Sequence, residues 1–175
     1  MLLKMPERSE VLFIGGRSGV GKSSAALELH WRLAARRVKH AVIEGDNLDQ
    51  AYPPPWEHNL DEKNLSAMWA NYRALGYRRL IYTNTVSVLQ TETLAAAMGD
   101  DPVVKAVLLQ ANDDTARLRL TGRESVTTLE LHLTRSRERA AELEAKTPSW
   151  VWRINTDSRD VPTVASEILE RLAWT

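Results

Sequence analysis

Eight consecutive residues, 16–23, constrain the fold of this chain more than any other feature of its sequence. They read Gly-Arg-Ser-Gly-Val-Gly-Lys-Ser and match the pattern G-x-x-x-x-G-K-[ST] at every fixed position. An apolar run of β-forming residues, 11–14, precedes them, and a helical pattern from Ser23 to about Arg36 follows. Glycines let the backbone turn tightly, so that successive N–H groups converge on an anion at the positive end of the helix dipole. The sequence therefore predicts a strand, a phosphate-binding loop and a helix, in that order.

The residue types within this loop predict how it binds a nucleoside triphosphate and Mg²⁺. We expect the ammonium group of Lys22 to reach the β- and γ-phosphates, and the hydroxyl group of Ser23 to coordinate the metal. We call residues 16–23 the P-loop. Further nucleotide contacts are expected from the other P-loop residues and the first helical turn: Gly16, Arg17, Ser18, Gly19, Val20, Gly21 and Ser24.

The rest of the chain alternates between strand and helix patterns. This alternation predicts a three-layer α/β fold, in which a five-stranded parallel sheet carries helices on both faces. A length of 175 residues suits one domain, so we expect residues 1–175 to form a single unit. The expected strands are 11–14, 38–44, 79–83, 103–109 and 150–155. The expected helices are 23–36, 61–75, 92–98, 113–120, 127–145 and 162–172, with caps at Asp61 and Asp113 and a capping box at Thr127 and Glu130.

Composition argues against several classes of protein. Lys plus Arg and Asp plus Glu each number 23, and this balance gives no support for a nucleic-acid partner. The chain has no cysteine, which excludes disulfides and thiolate metal sites, and its four histidines lack the spacing of a zinc site. No apolar stretch approaches the roughly 18 residues of a membrane span, and the first residues lack a signal-peptide core. We expect a cytoplasmic protein, monomeric or homodimeric, with no membrane partner.

Three further segments, together with the P-loop, resemble the P-loop small-molecule kinases. Residues 44–47, Glu-Gly-Asp-Asn, are similar to the Asp-Gly-Asp-Asn of adenylylsulfate kinases. Residues 117–123, Arg-Leu-Arg-Leu-Thr-Gly-Arg, resemble the arginine-bearing lid of that superfamily, and residues 155–157, Asn-Thr-Asp, resemble the loop that packs on the nucleotide base. Gluconate and shikimate kinases and chloramphenicol phosphotransferases belong to the same group. The resemblance implies the strand order 2-3-1-4-5, with ATP at the carboxyl ends of the strands.

The resemblance also implies roles for individual residues. Asp46 would accept the proton of an acceptor hydroxyl or help to hold Mg²⁺, or it would merely begin a turn beside Gly45. Glu44 is the weaker candidate, because strand alternation is expected to turn it to the other side.

The expected lid covers residues 117–140. Arg119 and Arg123 would close over the phosphates, Arg117 would stack on adenine, and Asn155 and Asp157 would contact the nucleotide. The alternative is that these arginines form a solvated helix face, which is the interpretation we favour for Arg135, Arg137 and Arg139.

Two departures from the family pattern bear on the metal and the acceptor. A Walker B strand normally ends in an acidic residue, but residues 81–84 read Ile-Tyr-Thr-Asn. Metal binding would then rest on Ser23, Asp46 and water, or on the hydroxyl of Thr83. Residues 42–62 carry six carboxylates and no Lys or Arg, which disfavours an anionic adenylylsulfate acceptor.

The loop and helix at 45–75 are expected to form the acceptor side. They contain the aromatic residues Tyr52, Trp56, Trp69 and Tyr72 among the carboxylates, which suits a neutral or cationic sugar, nucleoside or antibiotic. Alternatively, Trp69 and Tyr72 belong to the core and the carboxylates are solvated.

The leading hypothesis is thus an ATP-dependent kinase that phosphorylates a hydroxyl group of a small molecule. A nucleotide monophosphate kinase would need arginines near 45–75, where only Arg73 is present. A nucleotide-hydrolysing switch protein that acts on a protein partner is the alternative from another class. A GTPase would need an N/T-K-x-D motif, whereas residues 155–158 read Asn-Thr-Asp-Ser, so ATP is the expected nucleotide.

Overall fold

The computed structural model describes residues 8–122 and 126–174. The strands are β1 (Glu10–Gly15), β2 (Ala41–Glu44), β3 (Arg79–Thr83), β4 (Val103–Gln110) and β5 (Trp152–Asn155). The helices are α1 (Lys22–Ala35), α2 (Leu60–Ala74), α3 (Thr91–Met98), α4 (Asp113–Thr121), α5 (Val126–Lys146) and α6 (Val161–Leu172). Short 3₁₀ turns lie at Gly45–Asn47, Trp56–His58 and Ser87–Leu89.

The five strands form one parallel sheet in the order β2-β3-β1-β4-β5, as the resemblance implied. Alternate side chains of the central strand β1 enter two separate cores. Leu12 and Ile14 pack with α1 and α6, whereas Val11 and Phe13 pack with α2, α3 and the end of α5. Parallel sheets are covered on both faces, so this arrangement follows directly from the apolar run 11–14. Of the described helices, none is long and apolar enough to cross a membrane.

Element ends account for most of the differences from the sequence prediction. The outer strands are shorter than expected, because β2 pairs with β3 only from Ala41 onward and β5 pairs with β4 only from Trp152. The predicted cap at Asp113 is wrong. The side chain of Asn112 accepts a hydrogen bond from the Thr115 amide, so Asn112 is the cap and Asp113 is the first residue of the helix. The Asp61 cap is also wrong, because α2 begins at Leu60.

The predicted capping box at Thr127 and Glu130 is not described by the structure. Helix α5 begins at Val126, one residue before the position expected, and the side chain of Thr127 lies outside the described part of the chain.

Gly45 leaves room for β3 where the chain turns after β2. A Cβ atom at this residue would lie 2.8 Å from the carbonyl oxygen of Thr83 and against the hydroxyl group of the buried Tyr82. We expect Gly45→Ala to reduce the free energy of unfolding by about 3 kcal/mol, as measured by urea denaturation. Gly99→Ala is the control: its φ is 74° and a Cβ there meets nothing within 4 Å, so only the backbone strain of about 1 kcal/mol is expected. Equal costs for the two variants would contradict the packing argument.

Candidate active site

The P-loop passes from the carboxyl end of β1 to the first turn of α1. Gly16 has φ 145°, and a Cβ atom there would lie 2.6 Å from the carbonyl oxygen of Leu109 on β4. Only glycine fits this close approach. The amide of Gly16 donates to the carbonyl of Thr85, 3.0 Å away, which fastens the start of the loop to the segment after β3. The loop therefore lies at the edge of the sheet where parallel strands end.

Lys22 folds back over the P-loop. Its Nζ atom donates to the carbonyl oxygens of Gly16 at 2.8 Å and Arg17 at 3.3 Å. Burial lowers the pKa of Lys22, while the nearby carboxylates of Asp46 and Glu44 favour its charged form. A buried ammonium group that is bonded only to carbonyl oxygens is suited to exchange these partners for phosphate oxygens.

Ser23 shares a carboxylate with Thr83. The Oε2 atom of Glu44 accepts a hydrogen bond from the Ser23 hydroxyl at 3.3 Å and another, short one from the Thr83 hydroxyl. The expectation that Glu44 points to the other side is wrong. Glu44 alternates with Val42, which packs on the face of the sheet that α1 covers, and it pairs with Thr83 in the sheet register, so its carboxylate lies on the α1 side. The strand next to β3 thus supplies the carboxylate that β3 itself lacks.

The residues around Ser23 fit a magnesium ion bound together with nucleotide phosphates. A hydroxyl oxygen and a neighbouring carboxylate are the donors that Mg²⁺ takes alongside phosphate oxygens and water. Among residues 8–122 and 126–174, no three His, Asp or Glu side chains converge on a metal site. Ser23 and Glu44, with Asp46 nearby, would therefore hold the ion only in company with the nucleotide.

Asp46 lies in the 3₁₀ turn that follows β2. Burial raises the pKa of its carboxyl group, and the charge of Glu44 raises it further, whereas Lys22 and a backbone hydrogen bond from Thr85 lower it. Asp46 therefore faces both the P-loop lysine and the segment after β3. A carboxyl group beside the P-loop is suited either to accept a proton or to share a metal ion.

Of the arginines predicted to form a lid, Arg117 and Arg119 are described, and they have different partners. Arg119 donates to the carbonyls of Val20 at 3.0 Å and Thr156 at 2.9 Å, and to the Thr156 hydroxyl at 3.0 Å. Arg117 forms an exposed ion pair with Glu130 at 3.1 Å. Arg123 lies outside the described residues.

Asn155 and Asp157 shape the turn after β5. The Asn155 side chain accepts the Asp157 amide at 2.6 Å, and the Asp157 carboxylate accepts the Asn112 amide at 3.0 Å. These bonds join the turn after β5 to the start of α4. Both side chains form hydrogen bonds within this junction. Thr156, which lies between them, donates from its hydroxyl group to the P-loop carbonyl of Val20.

A cavity of about 420 Å³ adjoins the P-loop where the phosphate-binding backbone meets α6. Arg119, Thr156, Ser24 and Val161 contribute to its walls together with Gly19, Val20 and Gly21. This position, next to the P-loop and between α4 and α6, is where a nucleotide base would lie. Sequence reasoning missed Thr156, whose only signal was its place between two predicted contacts.

Arg119 is expected to stabilise the P-loop. Arg119→Met removes the hydrogen bonds to Val20 and Thr156, and we expect a loss of about 2 kcal/mol in the free energy of unfolding together with weaker MgATP binding. Arg117→Met is the matched control, because an exposed ion pair contributes at most about 1 kcal/mol. Urea denaturation and titration with a fluorescent ATP analogue measure the two effects. Unchanged stability in Arg119→Met would contradict this role and favour the lid role.

A second cavity, of about 770 Å³, opens on the other side of the P-loop. Ser18, Trp56, Thr85 and Val86 form one part of its wall. The other part comes from α5: His132, Arg135, Ser136, Glu138, Arg139 and Glu142. We call this space the acceptor cavity, since it adjoins the P-loop through Ser18 and the Asp46 turn through Thr85.

Of the four aromatic residues expected on this side, only one lines the acceptor cavity. Trp56 does so with its side chain largely exposed, and Tyr52 is 97% exposed beyond it. Trp69 is completely buried and donates to Asp100 at 3.2 Å, and Tyr72 packs against Tyr77. The core alternative thus holds for Trp69.

The three arginines of α5 are exposed, as predicted for a solvated helix face. Arg135 and Arg139 line the acceptor cavity, whereas Arg137 pairs with Asp113 at 2.8 Å.

The strand order and the P-loop after the central strand define the class of protein: the chain has the fold of the P-loop kinases. Among solved structures, the tunicamycin resistance protein of Deinococcus radiodurans matches with a TM-score of 0.67 and 24% identity, over 96% of this chain and 98% of its own.

Two enzymes bound to small molecules share the same fold. The APS kinase of Mycobacterium tuberculosis, in complex with AMPPNP and APS, has a TM-score of 0.58 and 21% identity, over 95% of this chain and 99% of its own. The shikimate kinase of Acinetobacter baumannii, in complex with shikimate, has a TM-score of 0.57 and 13% identity, over 95% and 94%. No protein-family model matches the chain, and no curated protein matches it in sequence.

Proposed function

We propose that this protein is an ATP-dependent phosphotransferase that moves the γ-phosphoryl group of ATP to a hydroxyl group of a small molecule. The observation that carries the proposal is that Lys22 and Asp46 lie close enough at the P-loop for each charge to act on the other, while the acceptor cavity adjoins the P-loop at Ser18. The lysine belongs to the phosphate-donor side and the carboxylate to the acceptor side. A switch protein that hydrolyses ATP to change its conformation would need no cavity for a small-molecule acceptor.

The residues suggest a direct in-line transfer. P-loop amides and Lys22 would hold the phosphates and offset the charge that spreads over the transferred group, and bound Mg²⁺ would neutralise further charge. Ser23 and Glu44 would orient the metal side of the triphosphate. Asp46 would take the proton from the acceptor hydroxyl as the new P–O bond forms and the bond to the ADP leaving group breaks. Helix α5 would cover the acceptor and exclude water.

The acceptor is proposed to be a polar molecule the size of a sugar, nucleoside or antibiotic. Trp56 offers an aromatic surface for a ring, and the polar side chains of α5 offer partners for hydroxyl groups. The structural neighbours differ among themselves, since one was solved with APS and another with shikimate, so none of them dictates the substrate of this chain.

One observation favours a second candidate, an acceptor that carries an anionic group such as a nucleoside monophosphate. The arginines that would bind such an anionic group were expected in residues 45–75. Two arginines of α5, Arg135 and Arg139, line the acceptor cavity instead. Guanidinium groups bind phosphate and carboxylate groups through paired hydrogen bonds.

A mass-spectrometric screen tests the proposal. The protein is incubated with MgATP and a library of sugars, nucleosides, aminoglycosides, nucleoside monophosphates and hydroxylated acids, and products are searched for a gain of one phosphoryl group. The expected result is one related set of phosphorylated products that is absent with Asp46→Ala, while Asp46→Ala still binds MgATP. ATP turnover that a protein partner stimulates, without any phosphorylated small molecule, would refute the proposal.

A further inference from the structure

Arg17 belongs to the P-loop, but its side chain leaves the loop and is buried between two helices. Its side chain is only 4% exposed. The Nε atom donates to the Ser136 hydroxyl on α5 at 2.9 Å, and an Nη atom donates to the carboxylate of Asp113, the first residue of α4. One guanidinium group therefore joins the P-loop to both helices of the lid region.

Both partners of Arg17 have a second bond that holds them in place. The Ser136 hydroxyl donates to the carbonyl of Ser18 at 3.2 Å, so α5 is bound to the P-loop at two successive residues. The second carboxylate oxygen of Asp113 accepts from Arg137 at 2.8 Å. The planar guanidinium group presents donors in fixed directions, which makes a contact with two partners geometrically specific.

Apolar packing by itself fixes the first half of α5 weakly. Leu129 and Leu133 form a small cluster with Leu120 of α4, separate from both main cores. By contrast, Leu143 near the end of α5 enters the large core on its face of the sheet. The polar contacts of Ser136 lie between these two parts, so they determine how closely α5 approaches the P-loop.

We propose that Arg17 is a positioning residue that holds α5 against the P-loop, so that the acceptor cavity is formed before the nucleotide binds. Helix α5 supplies the longer part of the wall of this cavity, and Ser136 itself lines it. Only the consequence for the acceptor rests on the proposed function; the attachment of α5 does not. Arg17 acts through α5 and not through contact with reacting atoms.

Hydrogen–deuterium exchange of the 175-residue protein tests the attachment. In Arg17→Met and in the milder Ser136→Ala, we expect amide exchange in residues 129–142 to rise about tenfold, since each variant loses two hydrogen bonds of a buried group. Exchange in β1 and β3 should stay within about twofold. Arg137→Gln is the control: it removes an exposed bond to the same Asp113 but leaves both bonds of Arg17, and α5 should exchange as in the wild type. Unchanged exchange in α5, or an equal rise throughout the protein, would overturn the proposal.

Addition of the ATP analogue AMPPNP with Mg²⁺ tests the order of events. In the wild type, the analogue should leave exchange in residues 129–142 within about twofold, because α5 is already in place. Strong protection of α5 only after the analogue is added would overturn the proposal. Arg17→Met should bind the analogue within about threefold of the wild type, since Lys22 and the P-loop amides remain.

Kinetics with an acceptor found by the screen separate positioning from general damage. We expect the acceptor KM of Arg17→Met to rise by about tenfold or more while kcat changes less, with partial recovery in Arg17→Lys. A fall in kcat alone would contradict the assignment. If the wild-type protein phosphorylates nothing, the proposed function fails, and the exchange measurements still decide whether Arg17 holds α5.

Discussion

Replacement of Lys22 by methionine is expected to reduce phosphoryl transfer by about three orders of magnitude while the protein stays folded. We expect the ammonium group to offset the charge of the transferred group, and removal of one such preorganised donor costs about 10²–10³ in rate. The hydrogen bonds of the Nζ atom go to the carbonyls of Gly16 and Arg17, so its removal breaks no direct hydrogen bond to a carboxylate. Product formation at saturating MgATP measures the effect.

Lys22→Met is also expected to be at least as stable as the wild type near neutral pH. Burial lowers the pKa of Lys22 in the folded protein, so the charged form opposes folding wherever the lysine is charged in the unfolded chain. This cost disappears above the ordinary lysine pKa, and the stability difference should shrink there. Lys63→Met, at an exposed residue of α2, is the matched control and should change neither activity nor stability. Retained transfer in Lys22→Met would contradict the site.

Asp46→Asn is expected to lower phosphoryl transfer by about 10²–10⁴, the usual contribution of a general base. Binding of MgATP should be nearly unchanged, because the P-loop and Lys22 remain. Asp49→Asn removes a neighbouring charge from the same segment and should retain transfer. A large rise in the Mg²⁺ requirement of Asp46→Asn, with kcat preserved at high Mg²⁺, would show that Asp46 serves the metal and not the proton.

The pH dependence of Asp46 follows from its environment. Because burial raises the pKa of the carboxyl group, the acidic limb of kcat/KM should lie above the ordinary aspartate value of 3.8, and it should vanish in Asp46→Asn. The same shift means that the carboxylate opposes folding at neutral pH. Asp46→Asn should therefore be more stable than the wild type at neutral pH. This difference in stability should fade as the pH falls, because Asp46 then becomes protonated in both the folded and the unfolded wild-type protein. An unchanged acidic limb in Asp46→Asn would assign the limb to another group.

The local chemistry of the site could be predicted from the chain. Residues 16–23 determine a backbone that turns tightly, exposes its amides and begins a helix, and all of this depends on neighbours in sequence. The apolar run before them and the alternation of strand and helix patterns predict the sheet and its two covered faces. Sheet order came from the resemblance that these motifs carry, and the structure confirms it.

Tertiary structure decided which side chains meet at that loop. Glu44 shares the α1 face of β2 with Val42, but only the packing of α1 on that face and the alignment of Glu44 with Thr83 bring its carboxylate to Ser23. The arginines show the same limit. Arg119 donates to the P-loop carbonyl of Val20 and Arg135 lines the acceptor cavity, because the packing of α4 and α5 sets where each side chain lies. The sequence shows which arginine side chains are available as hydrogen-bond donors. Which acceptors they contact depends on how the helices pack.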